Sequence, residues 1–540
     1  MCDWGRVLRV LGLVTCMAGL LACPGAQADR PTALDLERQR GGMLRLRLEV
    51  PQSLDPLGAD SVYESLPIRQ VFEGLVATDA GLNIVPALAA TWTISRDGRT
   101  YVLHLREGVR FHDSVALAAD DVVFTFERAL RSEDPGNLAR PYLSVLEGAD
   151  AFAAGRAPRL AGVRALDGLT VQIQLARPYS CFLEVLAMDG LRVVPRHAFA
   201  AATAEEFGRA PLGTGPFRFQ TWDDAHLVLA RNADYWGEAA WLDGVSILFQ
   251  DEGDRLDTDR LLAGEVDVAE VRDGDLERLR EPQARVLRFQ ELSVAFLGLL
   301  TRTPPLDDVR IRQAIACAID RDALVADAPL LRRKAVGILP PGLPGYSPDP
   351  KVLPYDPARA RALLALAGRP GGRGLPPIAL YTSGSSAAAT RVIELIRQDL
   401  ADVGIDLQVH IVPWGEMSTR LQEKSAPAFM LGWVADLADP DAFLRALFQS
   451  DVISNLFAFE DAQADTMLDA GAREMHPVRR VHLYREAESR ILQLAPLVPL
   501  YHSSGLLATS RRVHDFDPGP MGLSAIDLRH VWLSSREGHR

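Results

Sequence analysis

At 540 residues the chain is too long for one compact core and calls for about two or three lobes, while its 48% apolar and 24% charged residues are those of an ordinary globular protein. The formal charge of -13, with 58 cationic residues that are nearly all Arg and dispersed among acids, excludes a surface that tracks phosphates, because nucleic-acid binders cluster Lys and Arg. No nucleic-acid partner is expected.

Arg6 and Arg9 precede the apolar run VLGLVTCMAGLLA at residues 10–22, which has the length of a signal-peptide core and is too short to span a bilayer. Export is therefore expected, with residues 1–28 as the signal peptide and the periplasm as destination. Two cleavage sites compete. Leu20-Leu21-Ala22-Cys23 is similar to a bacterial lipobox, and cleavage before Cys23 would leave a lipidated cysteine that attaches the protein to the membrane. Ala26-Gln27-Ala28, after the breaker Pro24, suits an ordinary signal peptidase and a soluble product; the bulky Leu21 weighs toward it. After either cleavage Cys181 and Cys317 are the only internal cysteines, both in apolar periodic stretches, which favours buried thiols over a disulfide.

MLRLRLEV from Met43 and TYVLHLREGVRF from Thr100 alternate with period two and predict strands, and AADDVVFTFERAL switches to a helical period. GTGPFRFQTW, HLVLARN and VSILFQ, between Gly213 and Leu248, predict further strands. The later half changes character. Asp307-Asp308 opens DVRIRQAIACAIDRDALV, predicted as one helix, and Asp356 before Pro357 is an N-cap with Pro in the first turn of a helix closed by Gly368. PIALYTS, RVIELIRQDLADV stopped by Gly404, and IDLQVHIV read as strand, helix and strand, the β-α-β order of an open α/β lobe with its ligand crevice at the strand ends. A long helix, VRRVHLYREAESRILQLA, precedes a last strand, LVPLYHSSGLLA. Strand-rich sequence returns after Pro496, which suggests lobes joined by several crossings and a hinge between them.

Catalysis finds no positive signal. The 11 histidines are scattered, with no H-E-x-x-H pair and no Cys/His cluster at zinc spacing, so neither a metal nor a cofactor is expected. Gly384-Ser385-Ser386-Ala387-Ala388 misses the last glycine of a nucleophile elbow, and a serine hydrolase using Ser385 or Ser386 is a remote alternative.

Taken in order, several motifs resemble the family 5 extracellular solute-binding proteins, the peptide and nickel receptors of ABC importers. SLDP, VFEGLV, IVPALAATW, DGRTYVLHLREGVRFHD, LGTGPFRFQTW, RNADYW, PPLDDVRIRQAIACAIDR, YDPARARALL and LGWVADLADPDAFL follow one another between about Gly41 and Val513. The resemblance implies an α/β, periplasmic-binding-protein-like, two-lobed fold with an extra inserted domain and a hinge between the lobes. Lobe I would comprise 41–75, 213–292 and 499–540, the inserted domain II 76–212, and lobe III 293–498. The tight approach at Gly213 and Gly215 and the aromatics Tyr235 and Trp236 are read as structural.

The resemblance also implies a site. Peptide receptors of this family hold an extended peptide by backbone hydrogen bonds while one acid of a G-W-x-x-D motif binds its ammonium. Here the motif is Gly432-Trp433-Val434-Ala435-Asp436, so that Trp433 and Val434 would offer backbone groups and Asp436 would face the ammonium. Asp439 and Asp441 look like turn or cap residues. Asp60, Ser61 and Val62 match the stretch that runs along the ligand backbone, Tyr142 a contact from domain II, Trp414 a tryptophan after a lobe III strand, and Tyr501 an aromatic after the final V-P motif. Packing is the competing role for each, Val62 as filler of a strand. Where dipeptide receptors place an arginine for the ligand carboxylate, this chain has Ser383-Gly384-Ser385-Ser386, with Arg391 next. The expectation is a monomeric receptor that captures peptides or peptide-like solutes for ABC permease subunits; a nickel chelate, haem, opine or oligosaccharide ligand, or a sensor role, are the alternatives.

Overall fold

The computed structural model describes residues 40–134, 136–249, 256–271, 273–279, 284–349, 351–435 and 437–534. The Met43–Leu48 strand buries Leu44, Leu46 and Leu48 and turns Arg45 and Arg47 to the other face, as its period requires. It pairs in parallel with Gly244–Phe249, which continues antiparallel to His226–Arg231 and then Phe217–Trp222, giving a mixed four-stranded sheet. Between these two parts of the sheet the chain builds a second, antiparallel sheet from Ala89–Ile94, Thr100–Leu105, Thr170–Gln174 and Val163–Ala165. The Ala119–Arg131 helix lies against it through a stripe that includes Val122, Phe126 and Leu130.

The third sheet has eight strands and its organiser is Leu497–Ser510. One half of this 14-residue strand pairs with Ser293–Leu299 and Arg332–Lys334, and the other half with Val268–Glu270 and Ala284–Gln290. A single strand thus joins strands from residues 268–290 to strands from residues 293–334. Beyond Ser293–Leu299 come Ala428–Val434, Ile378–Thr382 and Leu407–Ile411, the last two parallel and joined by the Ala387–Asp402 helix, the β-α-β unit that the hydrophobic periods indicate.

Two elements differ from the sequence expectation. DVRIRQAIACAIDRDALV forms two helices, Val309–Ala318 and Arg321–Ala326, because Asp320 adopts extended backbone and its carboxylate accepts from the amides of Asp322 and Ala323, which starts a new helix. Val62 does not fill a strand; it opens the Val62–Val71 helix, capped by Ser61, whose Oγ accepts from the Tyr63 amide at 3.1 Å. Cys181 and Cys317 are buried free thiols.

Among the described residues buried side chains form four clusters, and the largest spans the inserted sheet and residues of the segment from Leu292 to Leu497. Among the described residues no helix is long and apolar enough to cross a membrane.

Candidate functional site

Helix formation at Val62 sets one wall of a cleft. Ser61 is the N-cap and Glu64, buried one turn on, accepts from the Gln52 amide at 3.0 Å, so the turn carrying Asp60 is fixed at both ends. Asp60, Ser61 and Val62 border a cavity of about 300 Å³. The facing wall is the end of the Ala428–Val434 strand and the segment after it. Val434 stands opposite Ser293 in the antiparallel pair and its side chain projects outward, 63% exposed, while Ala435 donates to the Leu292 carbonyl at 3.0 Å. Val434, Ala435, Leu437 and Ala438 all line the same cavity. Asp436 lies outside the described residues, flanked by these cavity-lining neighbours.

A second cavity of about 440 Å³ shares Val62, Val434, Ala435, Met521 and Ser524 with the first and extends it along Phe289, Glu291 and Ser504. A third, of about 400 Å³, shares Arg69, Thr78, Ala187 and Met521 with the first and reaches Glu73, Trp236 and Arg529. The three adjoin one another through shared lining residues, which come from segments both before and after residue 293. Their size suits a ligand larger than a single amino acid.

The other sequence candidates are placed differently. Trp433 points away from Val434, as strand alternation demands, and its indole Nε1 donates to the Ala442 carbonyl at 2.8 Å. Tyr142 is half-buried against the large core, and it is Leu138 close by, not Tyr142, that borders the cavity. Tyr501 sits in the long strand opposite Ala295 and Lys334, with the Arg332 guanidinium 5.1 Å from its ring centre. Trp414 begins the Trp414–Gln422 helix, is 58% exposed, and borders none of the three cavities. Ser386 caps the Ala387–Asp402 helix, accepting from Ala389 N at 3.1 Å, and Arg391 pairs with Asp327 at 3.0 Å.

Asp439 and Asp441 do more than cap a turn. Both are buried: Asp439 accepts two hydrogen bonds from the Arg480 guanidinium at 2.7 and 2.6 Å, and Asp441 accepts from the hydroxyls of Tyr179 and Tyr484, each at 2.7 Å. Burial pushes the Asp441 carboxyl above its ordinary range.

Sequence reasoning missed Arg69, Glu184, Asp189 and Met521, all of which border the 300 Å³ cavity. A signal existed for the first. Val62, Ser65 and Arg69 lie at i, i+3 and i+7, so once Val62 starts a helix, Arg69 follows on the cavity face. Glu184 is lifted to about 7, first by burial and then by the Asp439 charge.

Residues 83–455 match the model of the bacterial extracellular solute-binding proteins, family 5. The chain belongs to this family. This family 5 chain is 32% identical to haem-binding protein A of Haemophilus influenzae over 85% of its own length and 86% of that protein's. It is also 32% identical to the probable di/tripeptide-binding protein 5 of Pseudomonas aeruginosa, covering 88% of this chain and 94% of the other. Among solved structures, the periplasmic binding protein DppA of Helicobacter pylori in complex with the peptide STSA superposes with a TM-score of 0.76 at 28% identity, covering 93% of this chain and 100% of that one. HbpA2 of Haemophilus parasuis gives 0.79 at 28% identity over 91% and 100%. The two-lobed periplasmic-binding fold is thus the fold of this chain.

The family motifs meet at one buried carboxylate. Glu73 of VFEGLV accepts from Thr214 of GTGP at 2.9 Å and from Tyr235 and Trp236 of RNADYW at 2.7 and 2.8 Å. Burial raises its carboxyl above the ordinary range, and the three donors oppose that shift. Asp55 of SLDP caps the turn at Pro56–Gly58, accepting from Leu57 N, and pairs with Arg128 at 2.8 Å. These motifs fix the frame around the cleft.

Proposed function

We propose that the protein is the capture subunit of an ABC importer, closing on a peptide or peptide-like solute and presenting it to membrane permease subunits. The observation that carries this is the cavity walled by Asp60–Val62 on one side and by Val434, Ala435, Leu437 and Ala438 on the other, backbone-rich segments of the kind that hold an extended peptide. Closure follows from the solute's greater affinity for the closed form. Asp436, between Ala435 and Leu437, receives the peptide ammonium, and Trp433 and Val434 offer backbone groups to the chain behind it. The part is capture without turnover. The lobes divide near 75/76, 212/213, 292/293 and 498/499. The mature protein is exported to the periplasm as a monomer, soluble after cleavage at residue 28 or anchored through a lipid on Cys23.

Calorimetry with alanine peptides and their N-acetylated forms tests the reading. An ammonium site predicts loss of binding on acetylation and on Asp436→Ala, by roughly 3–5 kcal/mol where a buried charge is left unpaired. Equal affinity for both forms would remove Asp436 from the role.

Haem is a second reading, raised by the Haemophilus influenzae relative's name. Haem iron takes an axial His, Cys, Met or Tyr. Of these, the described residues lining the 300 and 440 Å³ cavities offer Met188 and Met521 but no His, Cys or Tyr, which weighs toward the peptide. Native mass spectrometry of protein purified without refolding separates the two by retained mass.

A further inference from the structure

Arg69 stands where two cavities share a wall. It borders both the 300 Å³ and the 400 Å³ space, and its side chain is 14% exposed. Its Nε lies 2.7 Å from Asp189 Oδ1. The same oxygen is 2.8 Å from Arg192 Nε, and Arg192 spends a further donor on the Phe72 carbonyl at 2.7 Å. One carboxylate therefore serves two guanidiniums. Burial alone would lift the Asp189 carboxyl, but Arg69 and Arg192 outweigh it and hold it below the ordinary range, so its single charge is present and shared. Glu73, the other acid acting on Arg192, is already engaged by Thr214, Tyr235 and Trp236.

Arg69 accordingly carries a positive charge only half answered by protein. Its closest approach to Asp189 is an ion pair through Nε that is not aligned as a hydrogen bond, and among the described residues no hydrogen bond from either Nη group is found. A guanidinium presents its donors as a rigid planar fork, and two unspent Nη groups match the two oxygens of a carboxylate. Asp60 and Glu184 border the same 300 Å³ cavity, so the space has poles of both signs.

We propose that Arg69 receives a carboxylate of the bound solute, a role no arginine in the stretch 383–386 can fill. The assignment rests on the peptide-capture reading and narrows it to solutes with a free carboxyl group. Asp189 and Arg192 act behind it: Asp189 fixes the guanidinium's direction, and Arg192 draws off part of the carboxylate's charge so that Arg69 stays attractive to an anion.

The test is titration calorimetry of the full protein with di-, tri- and tetra-alanine, each as the free acid and as the C-terminal amide. The wild type is expected to bind at least one acid tenfold or more tighter than its amide. Arg69→Met is expected to abolish that preference, with its circular dichroism spectrum and melting temperature reporting that the variant is folded. Arg69→Lys, which keeps the charge and loses the fork, falls between. Equal wild-type affinity for acid and amide overturns the assignment without any variant, as does an acid preference that survives in Arg69→Met. If the wild type binds no alanine peptide in either form, the peptide reading falls and this inference falls with it.

Discussion

The hydroxyl of Tyr179 lies 2.7 Å from Asp441 Oδ2, while Tyr484 reaches Oδ1 of the same carboxylate at the same distance. The three side chains are buried together, and beside them the Ser180 amide donates to the Ala472 carbonyl at 2.8 Å. The segment after the inserted sheet and the helices that carry Asp441, Ala472 and Tyr484 are thereby joined by a polar contact inside a shared apolar core. Tyr179→Phe removes one hydrogen bond to a charged group and is expected to lower stability by about 1.5–3 kcal/mol in urea unfolding. A cycle with Asp441→Asn isolates the pair; coupling indistinguishable from zero would mean the contact does not hold the segments together.

Glu184 gives the cleft a pH dependence. Its folded carboxyl is lifted from 4.5 to about 7, by burial first, then by Asp439, with Arg480 opposing. The folded state therefore holds the proton more tightly than the unfolded chain, and this group's contribution to stability falls as pH rises from about 4.5 to about 7. Glu184→Gln, permanently neutral, is expected to match the wild type near pH 4.5 and to exceed it at pH 8 by roughly 1–3 kcal/mol. A constant difference at both pH values would rule out titration of Glu184 as the cause.

Two histidines act in the opposite sense. His112 places Nε2 3.0 Å from the Gly215 carbonyl and accepts from the Gly213 amide through Nδ1, and His502 Nδ1 lies 2.8 Å from the Ser293 carbonyl. Burial lowers both from 6.5 to about 4. The folded state keeps them neutral while the unfolded chain protonates, so stability is lost as pH falls through 6.5 toward 4, by roughly 1–2 kcal/mol for each at pH 5. Denaturant unfolding between pH 5 and 7 should show the slope, and His502→Gln should flatten it.

Much of this fold was legible because its signals are local. The unit Ile378–Ile411 carries its own periods, its Ser386 cap and Gly404, all within one short stretch. The Val62–Val71 helix was not, since Pro67 interrupts it and its moment is weak once Glu64, Ser65 and Gln70 are buried beside apolar residues. Of the residues that a motif marked, Asp60–Val62 and Val434 line the cavity. The site was illegible at Arg69–Asp189 and Glu73–Trp236, pairs brought together from 120 and 163 residues apart by packing that no period announces.

Close approach constrains GTGP. A Cβ at Gly215 would lie 2.4 Å from the Gln70 carbonyl oxygen, and one at Gly213 2.0 Å from that of Val71, both rigid backbone at the end of the Val62–Val71 helix. Gly215→Ala must push the helix away from the strand, which costs about 1–3 kcal/mol or more. A melting temperature within a degree of the wild type would show that the approach is slack.

Equal exposure has opposite meaning at Val434 and Trp414. Val434 is 63% exposed because it faces the cleft, bordering both the 300 and the 440 Å³ cavities; Trp414 is 58% exposed on the outer end of a helix and borders neither. Val434→Trp fills space that a solute needs without disturbing the core, so the alanine peptide bound most tightly should lose at least about tenfold in affinity, about 1.4 kcal/mol, with melting unchanged. Trp414→Ala removes a larger apolar surface and should change affinity by less than about twofold. Calorimetry on the two variants decides between a site at the strand end and one reaching Trp414: a large loss in Trp414→Ala with Val434→Trp unaffected would move the ligand away from the Asp60–Val434 cavity.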